Sequence, residues 1–461
     1  MIKHTFVIIV LFLCLLVNLA NSQSIENYDI TQRLDSLYTE LYKYGEFNGN
    51  ILVAHEGKEI YAKSFGMSDS DKNISLQRNS IFYLASVSKQ FTAFSIFLLQ
   101  KQGKLSFDDA ISKYLPQLHH YSNIKIKHLV YHTSGLADYL NLFNDKTYDS
   151  SILTNNDVIN LLEATKPKLD FEPGEKFDYS NTGYLLLASI VESVTNQKFE
   201  RFLDEYIFEP LKMNNTRLLM YDATDANWKG NQIAKAYYES TDDEELVHKC
   251  KGVYGQAKIY SSVDDLLKWD KALKENTLIS QEDTDFIFSP GVLNSGEKTR
   301  YGFGWFLKDE EPYGKFVYHS GYFPGYLTYI SRHIDKGYTI ILLQNNDNRT
   351  GKTRLASKET RNIIYNLPIE KDIRIQDSVL QKYAGSYISE KGESVEIKLR
   401  HQALWTNSGF DLIPINNTKF RVNGFRPEVT YTFNLNDDGS VKSYRVQQIE
   451  QGVDKTSIRK K

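Results

Sequence analysis

Two short apolar runs near the start of the chain have the pattern of paired β-strands. Apolar residues dominate 51–54 and recur through 60–65, and Glu56-Gly57 lies between the two runs. Turn-forming residues between two such runs are typical of a β-hairpin. We therefore predict a hairpin over 51–65.

A strongly apolar segment from 86 to 102 has a helical pattern. Phe91, Phe94 and Leu98 recur at intervals of three and four residues, which places them on one face of a helix. Gly103 stands where a left-handed residue commonly caps a helix. The sequence predicts a buried helix that ends at this glycine.

The middle of the chain predicts further helices, and late strands follow them. Helical spacing recurs at 156–164, 182–195 and 263–273, and strand-like runs lie at 326–331 and 338–344. Strands at both ends with helices between them indicate an α+β domain whose sheet is completed by its C-terminal part.

The pattern changes after Asn366-Leu367-Pro368. Apolar residues alternate with polar ones at 395–399 and 431–435, and Asp437-Asp438-Gly439 resembles a hairpin turn between the last two strands. We predict a small all-β domain over 368–461, after an α+β domain over 23–367.

The first 22 residues have the pattern of a signal peptide. Lys3 precedes an apolar run over 6–19, and the small residues Ala20 and Ser22 suit a cleavage site. A membrane anchor is the alternative, but a span needs about 20 apolar residues and this run is shorter. We predict export to the periplasm or the exterior, with no stable membrane span after cleavage.

Composition narrows the function. A net charge of −3 argues against a nucleic-acid partner. Removal of the leader leaves Cys250 as the one cysteine, so no intramolecular disulfide can form. Without HExxH, paired CxxC or a phosphate-binding loop, we expect neither metal nor cofactor, and His119-His120 is interpreted as a solvated pair. The sequence leaves the oligomeric state open.

Ser86 and Lys89 open the apolar helix three residues apart. Side chains at this spacing share a helix face, so the hydroxyl and the amine come within hydrogen-bond reach. A lysine buried here resists protonation and can serve as a base. The same Ser-x-x-Lys spacing recurs at 122–125, 295–298 and 457–460, and a helix-capping serine with a solvated lysine is the alternative. Only at 86–89 does it open a strongly apolar helix, which favours a nucleophile and its base.

Tyr179 stands in a Tyr-Ser-Asn motif before a predicted helix. Pro173-Gly174 makes a turn that delivers this tyrosine on the loop leading into the helix. A phenol can move protons when positive charge lowers its pKa from about 10, and a buried lysine would supply that charge. The same spacing occurs at 121–123 and 139–141, so a buried aromatic with Asn181 as a helix cap is the alternative.

A third motif, His319-Ser320-Gly321, leads through Tyr322 into a predicted strand. A sheet edge beside a nucleophile can direct backbone N–H groups at an oxyanion, and glycine allows substrate to approach that edge. A structural histidine before a turn is the alternative.

In this order the three motifs resemble those of the serine β-lactamase and penicillin-binding-protein family. The resemblance is to its class C-like branch, which holds DD-peptidases, esterases and D-amino-acid amidases, and it spans roughly Phe47 to Asn345. Residues 129–136 and 260–266 are similar to stretches between the family's motifs, and the tail from Tyr383 is similar to an appended lipocalin-like domain. An α/β-hydrolase is excluded because no G-x-S-x-G elbow occurs.

The resemblance implies roles for these residues. Ser86 would be the nucleophile, and Lys89 and Tyr179 would take its proton and return it to the leaving group. Asn181 would hold the substrate or Lys89, and His319 would contact Tyr179 or a substrate carboxylate. The remaining assignments are an oxyanion hole from the backbone N–H groups of Ser86 and Tyr322 next to Gly321, and a packing role beneath the site for His132 and Ser134.

An imidazole with an ordinary pKa near 6.5 loses its charge around neutral pH. If His319 anchors a carboxylate substrate, the KM of that substrate should rise between about pH 6 and 8.

Two departures from the family pattern bear on the substrate. Gly255-Gln256-Ala257-Lys258 replaces a segment usually richer in glycine and acidic at its second position, and Tyr322 stands where a small residue is common. The enzyme hypothesis therefore has two forms: an esterase or amidase, and a hydrolase of D-Ala-D-Ala-like peptidoglycan peptides or β-lactams. The alternative is a catalytically idle ligand-binding module.

Overall fold

The computed structural model describes most of the chain but not the predicted leader at 1–22. The described residues are 28–142, 152–219, 233–237, 246–345, 355–369, 373, 375–390, 392–400, 403–407, 411–422, 429–448 and 453–460. Within these ranges no helix combines the length and the apolar character needed to cross a bilayer.

Most of the helices lie within the first 364 residues, and one short helix follows them. The α-helices are α1 (28–43), α2 (Lys89–Lys101), α3 (Ile126–Val130), α4 (Tyr139–Leu142), α5 (Asn155–Thr165), α6 (Asn181–Thr195), α7 (Phe199–Leu203), α8 (246–249), α9 (Val263–Lys274), α10 (Gln281–Ile287), α11 (Ser357–Ile364) and α12 (Asp377–Leu380). The 3-10 helices are Ala85–Ser88, Ile111–Lys113 and Pro116–Tyr121, and Asp204–Phe208 is a π-helix.

Strands form one large sheet, two small sheets and a barrel. The strands before the barrel are β1 (Gly49–His55), β2 (Lys58–Phe65), β3 (Met67–Asp69), β4 (Ile74–Ser75), β5 (Phe82–Tyr83), β6 (Arg217–Leu218), β7 (Ile259–Ser261), β8 (Phe306–Glu310), β9 (Gly314–Phe323), β10 (Tyr326–His333) and β11 (Tyr338–Gln344). The large sheet is antiparallel, in the order β2-β1-β11-β10-β9-β8.

The large sheet is buried on both faces. Leu52 and Ile341 pack into the main core with α2 and α6, whereas Ile51 and Ile340 face a second core with α1 and α11. Strands covered on both faces are apolar at every position rather than at alternate ones, which explains the continuous apolar runs in β1 and β11. The predicted α+β architecture, with a sheet assembled from both ends of the domain, is confirmed.

The predicted helix over 86–102 has two parts. It begins as the 3-10 turn Ala85–Ser88 and continues as α2, and Gly103 follows with a φ of +68°. The third motif, which the sequence analysis placed at a sheet edge, lies inside β9 at 319–323.

The C-terminal part is a closed barrel of eight strands. They are β12 (Gly385–Ser389), β13 (Ser394–Arg400), β14 (Ala403–Thr406), β15 (Asp411–Pro414), β16 (Lys419–Val422), β17 (Thr430–Leu435), β18 (Val441–Gln448) and β19 (Val453–Arg459). The predicted all-β fold is confirmed. The turn at 437–439 joins β17 to β18, and not the last two strands, because β19 follows. The predicted boundary at 367/368 falls between α11 and α12 and stays a prediction.

Candidate active site

Ser86 is the one partly exposed residue in a buried stretch from 80 to 97. It follows Ala85, whose φ of +49° is unfavourable for a residue with a Cβ. Two hydrogen bonds hold this turn: Leu84 N–H donates to the Ile259 carbonyl at 2.8 Å, and Thr328 Oγ1 donates to the Leu84 carbonyl at 2.7 Å. Strain that the surroundings maintain is common where a reactive group must be presented.

Strand β9 lies directly against the turn that carries Ser86. A Cβ built on Gly321 would come 2.2 Å from the Leu84 carbonyl oxygen and 2.3 Å from Thr328 Oγ1, so only glycine permits this approach. Strand β8 pairs with β9 only as far as Tyr318, and 319–323 extend beyond it. Tyr322, which follows Gly321, is 46% exposed. The structure thus brings the third motif against the turn that carries Ser86.

Lys89 is fully buried and makes three hydrogen bonds. Its Nζ lies 3.1 Å from Ser86 Oγ, 2.9 Å from Asn181 Oδ1 and 3.0 Å from the carbonyl oxygen of Gln256. Burial lowers the pKa of this amine to about 7, against an opposing effect of Asp138. A substantial fraction of the amine is therefore neutral at physiological pH and able to accept a proton.

Asn181 is held in place by Asp138, a residue that the sequence motifs did not reveal. Asp138 Oδ2 accepts hydrogen bonds from the backbone N–H and from Nδ2 of Asn181, both at 2.9 Å. The amide oxygen of Asn181 then faces Lys89, which agrees with one of its two predicted roles. Asp138 stands just ahead of α4 and has no characteristic spacing to the other motifs, so only the fold shows the contact.

Tyr179 completes the group around Ser86. The Lys89 Nζ lies 4.8 Å from the centre of its ring. Burial raises the pKa of the phenol; its proximity to Ser86 lowers that pKa only in part. Within the described residues the hydroxyl has no well-formed hydrogen bond. The expected lowering of the pKa by a nearby cation is therefore not found, and Tyr179 is a neutral phenol in the resting site.

His132 brackets the loop that carries Tyr179. Its carbonyl accepts the N–H of Asp178 at 2.8 Å, and its Nδ1 accepts the N–H of Ser180 at 3.1 Å. The imidazole packs against the Tyr179 ring with 4.3 Å between centroids. Burial, and then the charge of Lys89, keep the His132 pKa well below its usual range. His132 and Ser134 are both buried, and the predicted packing role of Ser134 stays a prediction.

His319 has a different environment from the one that its motif suggested. Its Nδ1 lies 2.6 Å from the Ser320 carbonyl oxygen and its Nε2 lies 3.0 Å from the Tyr301 hydroxyl, so both ring nitrogens have protein partners. Burial, and then Lys89, lower the imidazole pKa to about 3. The ring is 6.1 Å from that of Tyr179. His319 is thus a neutral supporting residue and not a cation offered to a carboxylate.

Gln256 forms the back of the site. Its side-chain Nε2 donates to the Tyr139 hydroxyl at 3.1 Å, and its backbone carbonyl oxygen accepts from Lys89 Nζ. Gly255 is packed so closely that a Cβ would lie 2.4 Å from the Tyr184 carbonyl oxygen, and its own carbonyl accepts from Thr92 Oγ1 at 2.6 Å. The 255–258 segment therefore fixes one acceptor of the Lys89 amine through the backbone, which does not depend on its side chains.

The arrangement has the parts that nucleophilic acyl transfer requires. A hydroxyl on a strained turn contacts a partly neutral buried amine, a phenol ring lies 4.8 Å from that amine, and a strand packs against the turn. In the described part of the chain, no three His, Cys, Asp or Glu side chains cluster as metal ligands.

Comparison with known proteins agrees with this geometry. The profile of the Beta-lactamase family matches residues 34–362. The chain is 31% identical over 453 residues to penicillin-binding protein 4* of Bacillus subtilis strain 168, and the match covers 93% of this chain and 99% of that protein.

Solved structures share the fold. The octameric penicillin-binding protein homologue from Pyrococcus abyssi is similar with a TM-score of 0.65 at 22% identity, covering 92% of this chain and 99% of its own. The D-amino acid amidase from Ochrobactrum anthropi SV3 is similar with a TM-score of 0.57 at 20% identity, covering 74% of this chain and 98% of its own.

Proposed function

The chain belongs to the β-lactamase family, a family of serine hydrolases, and we propose that it is an active member that forms an acyl-enzyme at Ser86. The observation that carries this proposal is the 3.1 Å contact between Ser86 Oγ and Lys89 Nζ, together with the lowered pKa of that buried amine. A nucleophile in contact with a partly neutral base is the minimum required for acyl transfer. An idle binding module would not need to hold a lysine at this energetic cost.

Acylation begins with transfer of the Ser86 proton to the neutral amine of Lys89 as the hydroxyl oxygen attacks the substrate carbonyl. The protonated amine cannot pass its proton directly to a leaving group on the far side of the tetrahedral centre. Tyr179, a neutral phenol beside both groups, gives its own proton to the leaving group and is reprotonated by Lys89. The leaving group departs as an alcohol or an amine, and Lys89 is again neutral.

Deacylation reverses these proton movements with water as the nucleophile. Lys89 accepts the proton of the attacking water, directly or through Tyr179, and the departing Ser86 oxygen receives a proton from the same pair. We assign the base to Lys89 with Tyr179 as its relay, because burial keeps the phenol protonated in the resting site.

Charge on the carbonyl oxygen would be stabilised by the backbone N–H groups of Ser86 and Tyr322. The close packing of Gly321 on Leu84 supports this role, since it fixes the strand edge relative to the nucleophile. Donors held rigidly at the position of a developing oxyanion contribute strongly to catalysis.

The preferred substrates are neutral esters and simple amides. His319 is neutral and already bonded on both nitrogens, so it provides no charge for a substrate carboxylate. Peptides ending in D-Ala-D-Ala and β-lactams carry such a carboxylate and are the second candidates. The 31% identity to a protein named as penicillin-binding supports testing them.

We also propose that the mature protein works outside the cytoplasm. The leader-like pattern of 1–22 supports export, and substrates of a peptidoglycan type would be met there. N-terminal sequencing of the protein recovered from the periplasm or the medium tests this, because cleavage after residue 22 would leave Gln23 at the N-terminus.

Covalent labelling tests the proposed chemistry directly. The intact protein should react with a fluorophosphonate probe or a fluorescent penicillin, and peptide mapping should locate the adduct on Ser86. Ser86→Ala should fold normally, form no adduct and hydrolyse nothing. Labelling that persists in Ser86→Ala would end this assignment.

A hydrolysis panel then ranks the substrate classes. A short-chain nitrophenyl ester, a D-Ala-D-Ala peptide and nitrocefin represent the ester, peptide and β-lactam alternatives. We expect the ester to have the highest kcat/KM. A D-Ala-D-Ala peptide that outranks the ester would favour the peptidase.

A further inference from the structure

Asp138 links the start of α4 to the catalytic group. One of its carboxylate oxygens, Oδ1, accepts the backbone N–H of Leu140 at 3.1 Å. The other, Oδ2, accepts both the backbone N–H and the Nδ2 of Asn181. The carboxylate is therefore fixed by its own loop on one side and binds a single residue, twice, on the other.

This contact determines which way the Asn181 amide points. A carboxylate can only accept hydrogen bonds, so the NH2 end of the amide must face Asp138. The carbonyl end is then directed at Lys89 Nζ, 2.9 Å away. With the opposite orientation, two acceptors would meet at Asp138 and two donors at Lys89. Asp138 thus determines the hydrogen-bonding partner of an amine that it does not touch.

The charge of Asp138 also acts on Lys89. Several groups surround the amine: the hydroxyl of Ser86, the rings of Tyr179 and Tyr184, and the imidazoles of His132 and His319. Both imidazoles are neutral, since burial lowers their pKa values far below neutrality. Asp138 is the group whose negative charge opposes the effect of burial on the Lys89 pKa.

We propose that Asp138 is a positioning residue that acts through Asn181 to hold Lys89 against Ser86, and that its negative charge acts on this amine. This inference rests on the proposed function, since it concerns the same nucleophile. It adds a fourth side chain to the chain of contacts Asp138–Asn181–Lys89–Ser86.

The rate of fluorophosphonate labelling as a function of pH tests the proposal without knowledge of the natural substrate. The Ser86 oxygen forms a bond to phosphorus, fluoride leaves, and the Ser86 proton goes to Lys89. Asp138→Asn removes the charge and keeps an oxygen that can accept from Asn181. In this variant the pH at which the labelling rate begins to rise should be lower by about one unit. The reason is that the protonated Lys89 amine loses a nearby negative charge that stabilised it.

Asp138→Ala, which removes the whole carboxylate, tests whether Asp138 positions Lys89 through Asn181. Asp138→Ala should lower the labelling rate at the pH plateau on the order of 100-fold, since small misplacements of a catalytic group have effects of that size. In an Asn181→Ala background the same substitution should cost little more, because both residues act through one contact. Circular dichroism and thermal melting establish that each variant is folded.

Asp178→Asn is the matched control. Asp178 adjoins Tyr179 but its side chain is exposed, so solvent screens its charge and the profile should stay in place. The inference fails if Asp138→Asn has the same pH profile of labelling as the unchanged protein. It also fails if the losses of labelling rate caused by Asp138→Ala and Asn181→Ala are additive in the double variant. Failure of the unchanged protein to label at all would instead remove the proposed function, and the inference with it.

Discussion

At the scale of single residues, the proposed mechanism makes reactivity depend on the protonation state of the Lys89 amine. Burial lowers the Lys89 pKa to about 7, so the neutral fraction grows as pH rises through that value and falls on the acid side. We expect the labelling rate to climb with pH up to about 7 and to level off above it. Labelling reactions quenched at successive times, at pH values from about 5 to 9, measure this dependence of the rate on pH.

Lys89→Ala should abolish the rise of the labelling rate with pH. It should also lower that rate on the order of 100-fold or more, as loss of a positioned proton carrier does. Lys104→Ala is a suitable control because this lysine is exposed and lies close after the end of α2. A flat wild-type profile with an active protein would show that another group is the base.

Tyr179 and Tyr121 provide a direct comparison of two tyrosines with the same motif spacing. The Tyr121 hydroxyl donates to the Pro167 carbonyl at 2.6 Å, away from the nucleophile, whereas Tyr179 adjoins Lys89. Tyr179→Phe should reduce turnover on the order of 100-fold by removing the proton relay. Tyr121→Phe should leave kcat nearly unchanged and affect stability instead. The reverse ranking in steady-state assays would mean that the relay is misassigned.

His319 gives a pH prediction opposite to the one that its motif suggested. With a pKa of about 3, the imidazole does not titrate between pH 6 and 8. The KM values of a carboxylate substrate and of a neutral ester should therefore change in parallel across this range. A rise in KM confined to the carboxylate substrate would show that His319 is charged in the working enzyme.

The residues that the sequence could reveal are those with a characteristic spacing. Ser86 and Lys89 lie three apart at the start of an apolar helix, and Tyr179 and Asn181 lie two apart where another helix begins. Asp138 has no such relation to its partner, because 43 residues separate them and only tertiary packing joins them. The protonation of His319 was also beyond the sequence, since it depends on burial.

At the scale of elements, continuous apolar runs were easier to recognise than mixed ones. Strands β1 and β11 contain continuous apolar runs at 51–54 and 340–343 because helices cover both faces of the sheet. Strand β9 has buried, half-buried and exposed positions without strict alternation, so its pattern alone does not identify a strand. Its extended conformation depends on pairing with β10 along its length, which the residues of β9 alone do not reveal.

The contact between α9 and the sheet depends on a buried ion pair. Arg332 Nε on β10 lies 2.7 Å from Asp270 Oδ1 on α9, and Thr339 Oγ1 on β11 donates to Asp270 Oδ2 at 2.7 Å. The N–H of Arg332 is not aimed at the carboxylate, so charge rather than hydrogen-bond geometry dominates the pair. Both side chains are almost completely buried.

Asp270→Ala should lower the free energy of unfolding by about 3–5 kcal/mol, because it leaves a buried guanidinium without its partner. Urea denaturation, monitored by the loss of Ser86 labelling, measures the change in the free energy of unfolding of this domain. Asp108→Ala is the control: it removes exposed pairs with Lys125 and Lys127 and should cost about 0–1 kcal/mol for each pair. Equal costs would show that burial does not determine the strength of the pair.

At the scale of the whole molecule, the barrel contacts the hydrolase domain through a largely buried ion pair. Arg421 on β16 lies 3.2 Å from Glu359 on α11, and α11 covers the face of the sheet opposite α2 and α6. The barrel therefore approaches the domain from the side away from Ser86. Its effect on catalysis should be indirect, through the support that it gives to α11.

The barrel interior is filled by its own side chains. Phe433 packs against Tyr383, Phe420 and Tyr444 with centroid separations of 4.7, 5.4 and 5.7 Å, in a core that also contains Leu404 and Leu412. Aromatic side chains that fill a small barrel support a structural role and leave little room for a ligand.

Phe433→Ala tests this role, because it opens a cavity in the barrel and should lower its stability by about 3–5 kcal/mol. Hydrogen–deuterium exchange should speed up in the barrel strands around β17 and β18, while Ser86 labelling in the intact protein keeps its rate. Leu435→Ala, on the same strand but 41% exposed, should change neither. If labelling falls along with barrel protection, the barrel and the hydrolase domain form one cooperative unit, and Arg421 and Glu359 become the next residues to substitute.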